Sequence, residues 1–158
     1  MYRADSLYDI DLSKLTDKGI KGIILDIDNT LVPHDAPADE RAKGLVDKLK
    51  EMGFKLYIVS NNHEPRAKSF SEAVNVPYSY EAHKPSPKKM LEAVERMGLK
   101  KSECIAVGDQ IFTDMWGAKN AGIEAILTEP LDKASDTALI KLKRLLEIPF
   151  KLLQTKRF

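Results

Sequence analysis

The chain has a single cysteine, Cys104, among 158 residues, so no disulfide can form within it. That lack fits a reducing compartment. Cys104 lies in the apolar run Cys104-Ile105-Ala106-Val107 and reads as a small core residue, not a nucleophile. No apolar stretch approaches the length that spans a bilayer. The opening residues, Met1-Tyr2-Arg3-Ala4-Asp5, lack the apolar centre of a secretory signal. A cytoplasmic protein is therefore expected. Net charge is scarce as well. The formal value is +1, so nothing global demands a nucleic-acid partner, and none is expected. Repeats, low-complexity tracts and linkers are missing, which leaves one domain over residues 1–158 with enough chain for a real core.

The charge that is present is unevenly placed. Residues 133–158 hold seven Lys/Arg against Asp136 and Glu147. Such a basic helical segment suits peripheral contact with an anionic membrane or an acidic partner. The plain alternative is a solvated helix face with a tail. Phe150, Leu152, Leu153 and Phe158 fit an interface, the domain itself or another subunit equally well.

Strand-like and helix-like segments alternate. Apolar runs predict strands over 21–26, 55–60, 104–108 and 123–127, with a weaker one near 77–80. Helical periodicity predicts helices over 38–52, 64–73, 86–97, 113–121 and 136–147. The last should bury Ala138, Leu139, Leu142, Leu145 and Leu146. Alternating β and α predicts an α/β fold, a doubly wound parallel sheet between two helical layers.

The richest segment is Gly22-Ile23-Ile24-Leu25-Asp26-Ile27-Asp28-Asn29-Thr30-Leu31-Val32. Its apolar run stops abruptly at Asp26. The carboxyl end of such a strand is where ligands bind in open α/β sheets. Asp26 and Asp28 are two residues apart, so in extended chain both carboxylates leave on one side. Carboxylates that close repel unless a cation or shared proton intervenes. The pair suits metal-assisted chemistry with one nucleophile and one acid/base.

Three further places carry polar groups at strand ends or loops. Ser60-Asn61-Asn62 follows the second strand, where a hydroxyl and backbone N–H groups can bind a phosphate oxygen. It also reads as an ordinary turn. Lys84, in His83-Lys84-Pro85-Ser86-Pro87, is held extended by the following proline and could neutralise a phosphate. Taken alone it would be a surface lysine. Gly108-Asp109-Gln110 ends another strand, with Gly108 allowing a tight turn and Asp114 following near a helix start. Four carboxylates, Asp26, Asp28, Asp109 and Asp114, with no His or Cys cluster, favour Mg²⁺ over zinc.

These pieces, in this order, resemble the four motifs of the haloacid dehalogenase superfamily, over residues 21–128. The wording Asp-Ile-Asp-Asn-Thr-Leu-Val, Ile-Val-Ser-Asn-Asn, Lys-Pro and Val-Gly-Asp-Gln-Ile-Phe-Thr-Asp is similar to the YqeG group of subfamily IIIA phosphatases, itself similar to mitochondrial phosphatidylglycerophosphate phosphatases. The resemblance implies a three-layer Rossmann-like hydrolase. Asp26 would be the nucleophile that becomes an aspartyl-phosphate, and Asp28 the acid and then base. Asp26, Asp28 (through its backbone carbonyl) and Asp109 would hold Mg²⁺, with Asp114 holding a metal-bound water or orienting Lys84. Asn29, Thr30, Ser60, Asn61 and Lys84 would bind the phosphate. An acid two residues after the nucleophile implies a phosphatase rather than a dehalogenase or an ion pump.

The short loop after Val32 and the 23 residues between Ser60 and Lys84 leave no room for an inserted cap domain. A capless, open site is expected, suited to a macromolecular or membrane-held substrate such as a lipid phosphate, or to cover from a neighbouring subunit in a homo-oligomer. His34 and Asp35 could meet a leaving group, and His63 could line the mouth, although His34 also reads as a plain loop residue. The competing readings are a receiver-like phospho-accepting module and a non-catalytic scaffold. A receiver's acidic pair is adjacent and its acceptor lies on a later strand, unlike Asp26-Ile27-Asp28 here.

Overall fold

A computed structural model of the chain describes residues 1–134, 138–153 and 156–158. Seven strands, β1 (Tyr2–Ala4), β2 (Gly22–Leu25), β3 (Lys55–Val59), β4 (Tyr78–Ser79), β5 (Cys104–Gly108), β6 (Glu124–Thr128) and β7 (Lys156–Arg157), form one sheet of order β4-β3-β2-β5-β6-β1-β7. Every pairing is parallel. Parallel pairing requires crossovers, and helices supply most of them: α2 (Glu40–Glu51), α3 (Glu64–Val74), α4 (Lys88–Met97) and α5 (Trp116–Ala121). A short α1 (Ser13–Asp17) precedes β2, and α6 (Ala138–Leu153) follows β6.

The strands alternate between two cores. Ile23 and Leu25, Ile58, and Ile105 and Val107 point to one face, where α2 and α3 bury Leu45, Val46, Leu49 and Phe70. Ile24, Tyr57, Ala106 and Leu127 point to the other, against Met90, Val94 and Met97 of α4. This two-residue alternation under helices on both faces is why the central strands read as unbroken apolar runs. Cys104 is part of the second core, and burial pushes its thiol up to about 11, which makes it inert.

Two features differ from expectation. The first is β1, which sequence patterning does not reveal. It pairs with β6, with Tyr2 opposite Ile126, and is only three residues long. The second is the rotation of α6. Leucine spacing predicts that Leu142, Leu145 and Leu146 are buried, but all three are exposed. The opposite face turns inward, with Ile140 and Arg144 half-buried and Glu147 fully buried. Arg144 and Glu147 each find a partner on the domain, and those pairings set the rotation. The side chains of Ala138 and Leu139 lie outside the described residues. Leaving three leucines more than half exposed forgoes roughly 1–2 kcal/mol each, about half of what full burial supplies. Phe158, by contrast, packs edge-on against Tyr2, their ring centres 5.2 Å apart.

Candidate active site

Strand order places the polar residues together. β2 lies between β3 and β5, with Leu25 opposite Ile58 on one side and Val107 on the other. The residues just past these ends, Asp26, Ser60 and Asp109, are therefore neighbours across the sheet. From β2 the chain runs outward to β3 and β4, then returns to β5 on the other flank, so β2/β5 is the switch point where such sheets bind ligands. A cavity of about 190 Å³ opens there, lined among others by Asp26, Asp28, Ser60, Asn61, Lys84 and Asp114.

Lys84 anchors the floor. Its ammonium donates to Asp26 Oδ1 at 2.6 Å, to Asp114 Oδ1 at 2.6 Å and to the Val59 carbonyl at 3.0 Å. All three of its N–H donors are used, so a buried charge is paid for by full pairing. Burial opposes that charge, but Asp114 and Asp26 more than offset it, and the ammonium is held well above its ordinary range. Asn61 fixes the Lys84 backbone, its Oδ1 accepting from the Lys84 N–H at 2.8 Å. The Lys84–Pro85 peptide is cis.

Asp114 lies on a single π-helical turn, Ile111–Met115, which leads into α5. Its Oδ2 also accepts from the Gln110 N–H at 3.2 Å. The reason for Gly108 is space and not a turn conformation: a Cβ there would collide with the Asp114 side chain. Carboxylate oxygens of Asp26, Asp109 and Asp114 lie within 4.8 Å of one another. Burial, with Asp114 and Asp109 nearby, pushes the Asp26 carboxyl well above the usual range despite Lys84. Burial, with Asp114, pushes Asp109 up to about 7, against the pull of Arg144. This is a cluster short of positive charge.

The sites differ from expectation in several places. Thr30 is buried and does not line the cavity, and its hydroxyl has no hydrogen-bond partner. Asn29 does line it, at φ 59°, but its Oδ1 accepts from the Asp132 N–H at 3.0 Å. The Ser60 hydroxyl accepts from the Asn62 N–H at 3.1 Å. Asp109 is fully buried, its Oδ2 bound by Arg144 Nη2 at 2.5 Å. His34 lines the cavity, with Nδ1 4.0 Å from Asp28 Oδ1, whereas His63 is exposed and pairs with Glu81 at 2.8 Å. Among the described residues no inserted domain covers the mouth, yet the site is less open than expected, because Ile140 of α6 reaches the cavity.

Sequence reasoning missed the residues that hold Asp28 and Asp109. Asp28 accepts from Arg66 Nη2 at 2.9 Å, from the Asp35 N–H at 2.8 Å and from the Asn62 side-chain amide. Arg66 stands in the first turn of α3, where a cation opposes the helix dipole. That misplacement was the available signal. Arg144 had none, being one cation in a basic helix. Glu147 Oε1 accepts from the Phe112 N–H at 3.0 Å and ties α6 to the π-turn.

The residues fit a hard divalent cation. Asp109 Oδ1 is buried with no hydrogen-bond partner, beside two carboxylates and no His or Cys. Asp26, Asp109 and Asp114 are the residues that could hold such a cation.

Comparisons with known proteins bear on the fold and the family. Residues 33–122 match the family model described as haloacid dehalogenase-like hydrolase. The chain is 41% identical over 143 residues to the probable phosphatase YqeG of Bacillus subtilis, covering 90% of this chain and 83% of that protein. It is 30% identical over 156 residues to phosphatidylglycerophosphate phosphatase 1 of Arabidopsis thaliana, covering 88% of this chain but 43% of the plant protein. Among solved structures, the cobalt-bound deoxy-D-mannose-octulosonate 8-phosphate phosphatase of Haemophilus influenzae shares the fold. Its TM-score is 0.55 at 15% identity, over 85% of this chain and 90% of that one.

Proposed function

Because the chain belongs to the haloacid dehalogenase-like hydrolases and is a phosphatase of that family, we propose that it hydrolyses a phosphate monoester through an aspartyl-phosphate on Asp26, with Mg²⁺. The observation that carries this reading is the setting of Asp26. Its carboxylate faces the cavity, 2.6 Å from the Lys84 ammonium and clustered with Asp109 and Asp114.

A phosphate dianion and a carboxylate nucleophile repel each other, so the site must supply positive charge before the two can meet. Mg²⁺, when bound by Asp26, Asp109, Asp114 and the Asp28 backbone carbonyl, would supply that charge. Lys84 adds a fixed ammonium, and the Ser60 hydroxyl, itself held by the Asn62 N–H, positions a phosphoryl oxygen. An Asp26 oxygen attacks phosphorus, the bond to the leaving oxygen breaks, and Asp28 gives that oxygen a proton. Water then attacks phosphorus, Asp28 takes its proton, and the Asp26–phosphate bond breaks to release inorganic phosphate. Arg66 and Asn62 hold the Asp28 carboxyl in place for both transfers.

The cavity, at about 190 Å³, suits a phosphate and its ester oxygen, with the rest of the substrate outside. That geometry, and the match to the plant enzyme, support a lipid phosphate such as phosphatidylglycerophosphate as substrate. The test is phosphate release from an aryl phosphate with and without Mg²⁺. Mg²⁺-dependent turnover by the wild type, absent in Asp26→Asn, is expected. Equal turnover in both proteins would remove Asp26 from the mechanism.

A further inference from the structure

The helix α6 has two faces of opposite character. Ile140, Arg144 and Glu147 point to the active site, touching the cavity, Asp109 and the Phe112 N–H respectively. Leu142, Leu145 and Leu146 point away and are 54%, 62% and 55% exposed. Leu145 and Leu146 lie three and four residues after Leu142, so the three share one stripe. An outward leucine stripe on a surface helix is a cost to a protein that stays free in water, and contiguous exposed apolar surface marks a contact site.

The charge around the stripe selects the partner. Of the helix's cations, Arg144 is taken by Asp109 on the inner face, while Lys141 and Lys143 stand one residue either side of Leu142; the single acid, Glu147, is fully buried on the inner face. Lys141 is exposed beside the leucines. Leucines flanked by cations, with the one acid turned inward, are what an interfacial helix presents to anionic lipid. A second copy of the chain would bring the same basic segment against itself and be repelled. Spanning is excluded for this helix: its 16 residues reach about 24 Å, short of a hydrocarbon core of about 30 Å. None of the helices among the described residues is long and apolar enough to cross a membrane. Trp116, partly exposed, lies beside Phe112 with ring centres 4.8 Å apart, next to the point where Glu147 fastens α6. Its indole is well suited to the headgroup level.

We propose that α6 is a membrane-docking helix whose leucine stripe lies flat in the surface of an anionic bilayer. Ile140 belongs to the same helix and lines the cavity, so docking would bring the mouth of the active site to the headgroup layer. That consequence for the substrate rests on the phosphatase reading above; the docking does not.

The experiment is co-sedimentation of the full chain with phosphatidylglycerol/phosphatidylcholine vesicles and with phosphatidylcholine vesicles. Wild type is compared with L142Q/L145Q/L146Q, which removes apolar surface without adding charge. Wild type should partition to the anionic vesicles at least about tenfold more strongly than to the neutral ones, and the triple variant should lose at least about tenfold on the anionic vesicles. Both proteins should hydrolyse a soluble aryl phosphate equally, which also shows that the variant is folded. Circular dichroism and vesicle binding read docking even if no turnover is seen, so failure of the phosphatase reading remains distinguishable. Equal vesicle binding by the triple variant, or no binding by wild type, would overturn the proposal. So would a solution dimer that the leucine substitutions dissociate, since the stripe would then serve a second copy.

Discussion

At the floor of the cavity, Asp26, Lys84 and Asp114 are held by strand ends, a loop and one another; at its rim, Asp28 is held by the guanidinium of Arg66 on α3, while Asp109, fully buried beside the floor, is held by Arg144 on α6. The floor is largely buried, and its one ammonium uses all three donors while offsetting only one of two carboxylate charges. The rim borrows its cation from a helix, α3. The floor should therefore respond to substitution as a structural unit as well as a catalytic one. The rim should respond in function more than in stability.

The largest effect should come from Lys84→Ala. It strips the floor of its only paired ammonium and leaves Asp26 and Asp114 facing each other. Activity should fall about 10²–10³-fold, and stability by about 3 kcal/mol, the cost of a buried pair broken on one side. Aryl phosphate kinetics and urea unfolding measure the two. Loss of activity with stability intact would mean the floor is not the unit described here.

Arg66→Ala tests the rim and should act through Asp28. Proton delivery matters most when the leaving group is poor. Turnover of an alkyl phosphate should drop about tenfold or more, and turnover of a nitrophenyl phosphate much less, with unfolding midpoints close to wild type. Equal losses on both substrates would place Arg66 on the phosphate and not on Asp28.

A smaller effect concerns Asp109, whose carboxyl is pushed up to about 7 by burial and by Asp114. In the unfolded chain it returns to about 3.9. Between those values the folded protein holds a proton that the unfolded chain has released, so stability falls as pH rises through about 4 to 7. Asp26 is raised for the same reasons and acts in the same direction. Thermal midpoints in EDTA should therefore be lower at pH 7.5 than at pH 5.5. Millimolar Mg²⁺ should raise the value at pH 7.5 more than at pH 5.5, because the cation replaces those protons. A midpoint that rises with pH in EDTA would contradict this ordering.

The same division explains what could be read from the sequence. Asp26, Ser60 and Asp109 were legible because each ends a buried apolar run, and burial on both faces of a parallel sheet leaves few other places for a polar side chain. The extents of β3 and β5 follow from the same pattern, to within one residue. β1 was not legible, because three residues show no periodicity and Tyr2–Ala4 become a strand only by pairing with β6. Arg144 and Arg66 were invisible as site residues because helix-borne cations are common on solvated faces. Their meaning depends on which way the helix turns. In α6 the leucine spacing pointed to the wrong face, since Arg144 and Glu147 found buried partners and took the inner one.

The central claim is a covalent phosphate on Asp26, and Asp28→Ala offers the most direct way to see it. With a nitrophenyl phosphate the leaving group needs no proton, so the first step should survive while water, lacking its base, attacks slowly. Acid-quenched Asp28→Ala should then carry phosphate on the peptide containing Asp26, identified by mass spectrometry, and Asp26→Asn/Asp28→Ala should carry none. Phosphate on another residue, or phosphate that persists in the double variant, would contradict the account.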